Sequence, residues 1–289
     1  MDINLFFEEL SATFEGGTID AICALIEKNL AAAKAEGDSN AQITILNEKV
    51  GFYRSISRYG EAIQAAEEAL ALMISLGHAN SVPHGTTLLN AGTAYRAAGK
   101  ITSALDCFIK AQSIFEARLE TNDHRLAGLY NNMSAAYQEE DRHEEALVML
   151  EKAAKIMGNS GEVDSKAVVV LSNLAVAQLR QGKEAEALAT LEQVHNIVLV
   201  KPSSGKTPEF AIAFAGMGEA FYRMGQYEKS VEVFEKALAL VQEAFGENKD
   251  YATLCFNCAN AHDKLKQTDI ASSYIKKGKD TLERLGLSI

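Results

Sequence analysis

The sequence predicts an all-α chain, a solenoid of antiparallel helix hairpins, and three observations carry that prediction. The 289 residues are 47% hydrophobic with only 3 Pro and no Trp, and Ala, Leu, Glu and Lys, which lose least on entering a helix, are abundant. Small residues recur at Ala62, Ala104, Ala146, Ala187, Ser230 and Ala271, with successive separations of 42, 42, 41, 43 and 41. A period that regular marks units that stack on their neighbours. When that small residue is numbered position 20 of a unit, position 15 reads Ser57, Gly99, Asp141, Gly182, Gly225 and Lys266. Small or turn-forming residues therefore separate two amphipathic stretches in most units.

Residues 1–40 read as a degenerate first hairpin in which Ala21 falls 41 before Ala62 and Gly16-Gly17 make the turn. This hairpin is expected to cap the stack, since a terminal unit faces water on one side. Six clear units follow at 41–81, 82–122, 123–163, 164–206, 207–247 and 248–285. The first helix of each carries apolar or small residues at positions 4, 7, 8 and 11, such as Leu88, Ala91, Gly92 and Tyr95, or Phe214, Met217, Gly218 and Phe221. At ~100° per residue these form one narrow stripe. Small residues at positions 8 and 20 let the two helices approach, and larger ones at 11 and 24 fill the space beside them. Lys49 at position 7 and Gln178 at position 11 depart from this pattern. Pro83, Pro202 and Pro208 are expected in the links between hairpins. The Lys-rich helix near 268–285 closes the other end, so the whole chain, 1–289, reads as one array.

The segments 214–238 (FAGMGEAFYRMGQYEKSVEVFEKAL) and 131–156 (NNMSAAYQEEDRHEEALVMLEKAAKI) resemble tetratricopeptide repeats. They share that family's bulky residue at 4, small at 8, aromatic at 11, small at 20, aromatic or Leu at 24 and Ala at 27. The resemblance covers about residues 41 to 285. A period near 42 exceeds the family's usual 34 by about eight residues, which lengthens each helix by roughly one turn. In this the chain resembles the long-repeat subclass typified by kinesin light chains and bacterial peptide-sensing regulators. The resemblance implies a right-handed superhelix whose first helices line a concave surface.

On a helix, positions 2, 6, 9 and 13 lie opposite the stripe of 4, 7, 8 and 11. Position 6 reads Glu48, Asn90, Asn132, Asn173, Gly216 and Asn257. Asn is roughly 0.6 kcal/mol worse than Ala within a helix, so a repeated Asn calls for a reason. An amide offers one acceptor and two donors, the complement of a peptide unit, and a row of them suits an extended backbone. The resemblance implies this use, and the cost of Asn within a helix favours it; the alternative is duplication of an amide that merely caps or bridges neighbouring helices. Asn131 and Asn260 lie beside the row. Arg54 and Arg96 at position 12, with Arg180, Arg223 and Lys264 at position 13, add positive charge. Such cations suit an acidic segment or a C-terminal carboxylate, or simply complement helix C-termini. Tyr222 at position 12 is placed to stack on a ligand or to pack.

Other constellations carry less. Cys255, Cys258 and His262 form a C-x-x-C pair with a later His, but they occupy core positions 4, 7 and 11, and no second Cys pair completes a zinc site. SGKT at 204–207 lacks the earlier Gly of a phosphate loop, since Val200 stands there, and reads as a linker. His78, His84, His124, His143 and His195 have no nucleophile spaced to make a catalytic set. A formal net charge of −11 argues against nucleic-acid binding. No run reaches the ~18 apolar residues of a membrane helix, and MDINLFFEEL lacks a basic flank, so a cytoplasmic protein is expected. The expectation is a non-catalytic, cofactor-free module that binds an extended segment of a protein or peptide. The alternatives are a signalling-peptide-responsive regulator and a self-associating scaffold.

Overall fold

Fourteen helices make up the regular structure of the described residues of the computed structural model, which are 2–159, 165–200 and 208–287. By contact the chain divides into two compact units, Met1–Glu140 and Asp141–Ile289. Unit 1 holds α1 (Ile3–Gly16), α2 (Ile19–Ala35), α3 (Ser39–Ser55), α4 (Tyr59–Ser75), α5 (Val82–Ala97), α6 (Ile101–Arg118) and α7 (His124–Glu139). Unit 2 holds α8 (His143–Asn159), α9 (Ser165–Arg180), α10 (Glu184–Val200), α11 (Pro208–Arg223), α12 (Tyr227–Phe245), α13 (Lys249–Lys264) and α14 (Thr268–Arg284). The division falls in the turn of the 123–163 repeat, so α7 ends one unit and α8 begins the next.

Each hairpin turn is made by the residue at position 15. Ser57, Gly99, Asp141, Gly182, Gly225 and Lys266 all take left-handed φ, between 57° and 74°. In α5 the turn is closed by Gly99 N–H donating to the Arg96 carbonyl (2.9 Å) and Lys100 N–H to the Tyr95 carbonyl (2.9 Å), the pair of bonds that ends a helix in a Schellman motif. The same pair ends α3, α9, α11 and α13. First helices instead begin on a side-chain cap: Asp38, Ser81, Asp123 and Asn248 each accept from a backbone N–H of the first turn. Arg58, Lys100, Gln226 and Gln267, which open second helices, provide no such cap; Arg and Lys carry no acceptor to offer, and Gln is not among the short side chains that favour the position.

Packing inside a hairpin follows the repeat pattern. Position 20 is buried in all six units, Ser230 included. Ser230 satisfies its hydroxyl by donating to the Gly218 carbonyl at 2.8 Å. At position 8, a Cβ on Gly92 would stand 2.4 Å from the Phe108 ring, and one on Gly218 would stand 2.5 Å from the Phe234 ring. Both aromatic residues are at position 24 and fully buried, so the ring lies where a side chain would begin.

Several expectations are adjusted. Pro83 and Pro208 lie inside the first turns of α5 and α11, where a missing N–H costs nothing, and not in the links. Pro202 and the 204–207 segment lie outside the described residues. Ala21 is exposed, and α2 instead buries Ile22, Ile26, Leu30 and Ala33; the small-residue register does not extend to the first hairpin, although Gly16 and Gly17 do end α1. Gln178 is buried with its carbonyl accepting from Thr190 Oγ1 at 2.9 Å. Lys49 reaches Glu27 at 2.7 Å and lies over the Tyr53 ring, so its stem packs while its charge is paired.

Candidate functional site

Position 6 is half-buried in every unit. In two of them the cause is the preceding first helix, α3 for Asn90 and α9 for Gly216, whose position 5 faces position 6. In unit 1, Asn90 Nδ2 donates to Asn47 Oδ1 at 2.8 Å, and Asn47 Nδ2 donates to Thr87 Oγ1 at 3.0 Å and to the Ile43 carbonyl at 2.9 Å. In unit 2 the equivalent approach is so tight that a Cβ on Gly216 would lie 3.0 Å from Ser172 Cβ. At Asn90 and Gly216, position 6 thus lies on the seam between neighbouring first helices and is less open than helical geometry alone suggests.

The asparagines divide by what they touch. Asn90 bridges α3 to α5, and its carbonyl oxygen has no partner among the described residues. Asn132 Nδ2 turns back to the Gly128 carbonyl of its own helix at 2.8 Å, leaving one N–H and the carbonyl oxygen. Asn131, beside it, is half-buried and engaged, as is Asn173. Asn257 is half-buried and its amide makes no hydrogen bond among the described residues, while Asn260 is exposed. Asn47 sits at position 5, one step off the row; its three hydrogen bonds use both amide N–H groups and one of the two acceptor sites on its oxygen.

In unit 1 the strip beside these amides is built from small residues: Thr44 and Gly51 on α3, Thr86 and Thr93 on α5, Gly128 and Ala135 on α7, none of them buried. The threonine hydroxyls bond back to their own helices, so the strip is low and its polar atoms are satisfied. Arg54 and Arg96 border it, both half-buried. Arg96 Nη1 pairs with Glu139 at 2.7 Å. Burial, and then the neighbouring Arg96 charge, hold the Arg54 guanidinium below its ordinary value. Burial pushes the Glu48 carboxyl above its own.

In unit 2 the basic residues are more dispersed. Arg223 pairs within its helix with Glu219 at 2.6 Å. Arg180 and Lys264 are exposed. Tyr222 packs against the unit 2 core and sits edge-on to Tyr227, with ring centroids 5.4 Å apart, so packing accounts for it. Cys255 and Cys258 are buried free thiols, and burial pushes Cys258 up to about 12. His262 stacks on Tyr274 and shares a hydrogen bond of 2.5 Å with Gln267 Oε1. Among the described residues, no three His, Cys, Asp or Glu side chains gather as a metal would require. The side chain of His195 lies outside what the structure describes. Among the described residues, no helix is long and apolar enough to cross a membrane.

Comparison with known proteins agrees with this architecture. A model of the tetratricopeptide repeat matches residues 41–117, 83–159, 125–199 and 209–284, and the chain belongs to that family. It is 25% identical over 244 residues to the Arabidopsis thaliana protein Kinesin light chain-related 3, an alignment covering 83% of this chain and 37% of that protein. The chain thus spans about a third of the length of the curated relatives it matches. Among solved structures it resembles the apo form of RapI, with a TM-score of 0.74 and 14% identity over 99% of both chains. It also resembles the Rap conjugation gene regulator of plasmid pLS20 in complex with the Phr* peptide, with a TM-score of 0.57 and 13% identity over 84% of this chain and 75% of that one. At these identities the solved structures establish the fold.

Proposed function

We infer that the chain is a non-catalytic, cytoplasmic interaction module that binds an extended peptide segment of a partner along the exposed face of its first helices. The observation that carries this is the strip of small residues in unit 1, bordered by amides with donor and acceptor capacity left over. A low surface lets a peptide backbone approach, and Asn90 and Asn132 then bond to it with little regard to its side chains. Asn131 lies beside the same strip. In unit 2, Asn173, Asn257 and Asn260 are the corresponding amides, with Arg180, Arg223 and Lys264 as flanking cations; Tyr222 has a packing role first. The likeness to a Rap regulator solved with a peptide favours a short linear ligand over a folded domain.

The test is selection of a peptide from a random display library on the intact protein, followed by fluorescence anisotropy with Asn132→Ala and, separately, Asn257→Ala. Removing one amide that bonds the ligand backbone is expected to weaken affinity about five- to tenfold while the circular dichroism spectrum stays unchanged. A selected peptide that binds both variants as tightly as the parent rejects the assignment of this face.

A further inference from the structure

We propose that copies of this chain associate head to tail, the open side of α1 in one copy seating on the open side of α14 in another. The inference is independent of the peptide-binding reading, because it uses only the first and last hairpins described. Taking Ile22, the first residue that α2 buries, as position 20 of the first hairpin puts Phe6 and Leu10 at positions 4 and 8, and both are buried. α1 thus keeps the register of the later first helices, with Leu5 at position 3, Glu9 at position 7 and Ala12 at position 10.

Among the described residues no hairpin precedes α1 or follows α14, and each of these helices exposes positions that are buried in the interior hairpins. Position 3 is buried at Ile45, Leu129 and Leu254, and position 10 at Ala94, Ala136, Ala220 and Ala261. Leu5, by contrast, is 51% exposed, and Ala12 is exposed as well. In second helices position 24 is buried at Ala66, Phe108, Leu150, Leu191 and Phe234, whereas Ile275 is 40% exposed. Each open side therefore carries the apolar character of a surface made for stacking.

The charges on the two sides say what fits them. At the seams within unit 1 the position-25 acid of one hairpin is held by the first helix that follows. Glu27 accepts from Tyr53 at 2.8 Å and pairs with Lys49, a position-7 residue, at 2.7 Å, and Glu67 accepts from Tyr95 at 2.6 Å. Position 25 of the last hairpin is instead Lys276, with Lys279 one turn on and Ile275 beside it, all exposed. A first helix stacked there needs an acid at position 7. The interior first helices carry Lys49, Ala91, Met133, Leu174, Met217 and Cys258 at that position, and α1 alone carries an acid, Glu9. Neither Glu9 nor Lys276 has a side-chain partner among the described residues. The wider field agrees, since residues 1–27 hold Asp2, Glu8, Glu9, Glu15, Asp20 and Glu27 and no Lys or Arg, and Lys276, Lys277 and Lys279 fall together on α14 ahead of Asp280 and Glu283. A second copy brings the Lys49–Glu27 arrangement to the open ends with its signs exchanged, and Leu5 and Ile275 lose water in the same contact. The contact is heterologous, because each copy contributes a different patch.

Sedimentation equilibrium of the full chain tests this. The mass of the parent is expected to rise with protein concentration, and to rise less at about 1 M salt, where exposed charges are screened. Leu5→Asp disables one side, and Lys276→Glu combined with Lys279→Glu disables the other; all three residues are exposed, so the circular dichroism spectrum is expected to stay that of the parent. Each end variant alone is expected to sediment as a monomer, and an equal mixture of the two, which retains one intact contact, as a heterodimer. Glu9→Lys and Lys276→Glu are each expected to weaken association about five- to tenfold, and a chain carrying both to recover it. A parent of monomer mass at every concentration up to about 1 mM overturns the proposal. Association of either end variant alone at the parent's strength also overturns it, since that requires like sides to pair, and so does a mixture of the two that stays monomeric.

Discussion

Replacing Asn132 with Ala is expected to make the protein more stable while weakening its ligand, and the structure fixes both signs. The Asn132 amide bonds only to the Gly128 carbonyl of its own helix, an oxygen already engaged by the helical N–H four residues on. Truncation therefore strands no buried group, and the helix gains the propensity difference between Asn and Ala, about 0.6 kcal/mol. Asn90→Ala behaves differently. It removes the 2.8 Å bond to Asn47 across the α3–α5 seam, a loss of about 1 kcal/mol that the same propensity gain only partly offsets, so a net destabilisation of about 0.4 kcal/mol is expected. The two variants thus differ by about 1 kcal/mol in opposite directions from the parent. Urea denaturation followed by circular dichroism resolves this: with a slope of about 2 kcal/mol/M, the Asn132→Ala midpoint rises by about 0.3 M and the Asn90→Ala midpoint falls by about 0.2 M. A fall for Asn132→Ala refutes the reasoning, because it means the amide holds the fold through a contact that the hydrogen-bond geometry does not contain.

Gly92→Ala and Gly218→Ala each place a methyl within 2.6 Å of a buried ring, and overpacking of this kind costs about 1–3 kcal/mol despite the better helix propensity of Ala; adding Phe108→Leu to the first variant is expected to recover part of the loss in a thermal melt. Glu48→Gln is expected to raise the melting temperature at pH 7. Burial raises the Glu48 carboxyl in the folded state, so its contribution is full below the ordinary carboxylate value and is lost as pH rises through the raised one. The gain on substitution is expected to disappear in melts below about pH 4.

The hairpins were legible in the sequence because their requirements are local. A left-handed turn every 41 to 43 residues favours Gly, Asn or Asp, and four of the six position-15 residues are Gly99, Gly182, Gly225 and Asp141; only Ser57 and Lys266 take the same φ against preference. The Gly92–Phe108 and Gly218–Phe234 pairs were equally readable, since a missing side chain and a large one stand sixteen residues apart in both units. The first hairpin was not, because Ala21 matches the period while α2 turns Ile22 and Ile26 inward; a terminal unit packs on one neighbour and its register is less constrained. The candidate site was legible as residue types and not as contacts. Helical geometry places position 6 opposite the packing stripe within its own hairpin, and it contains no information about the preceding first helix, whose position 5 meets Asn90 and Gly216. For that reason Asn47 was passed over, and for the same reason Arg96 gave no sign of its pairing with Glu139, 43 residues on.

The uniform closure of the hairpins bears on how such a chain is lengthened or shortened. The position-11 carbonyl and the position-16 N–H meet in the same register across the turns that end α3, α5, α9, α11 and α13, so excising or inserting one whole period between such turns joins like to like and leaves no broken loop. Only the surfaces between successive hairpins must then be reconciled. Unequal recombination within the gene would accordingly change the number of hairpins far more readily than their shape.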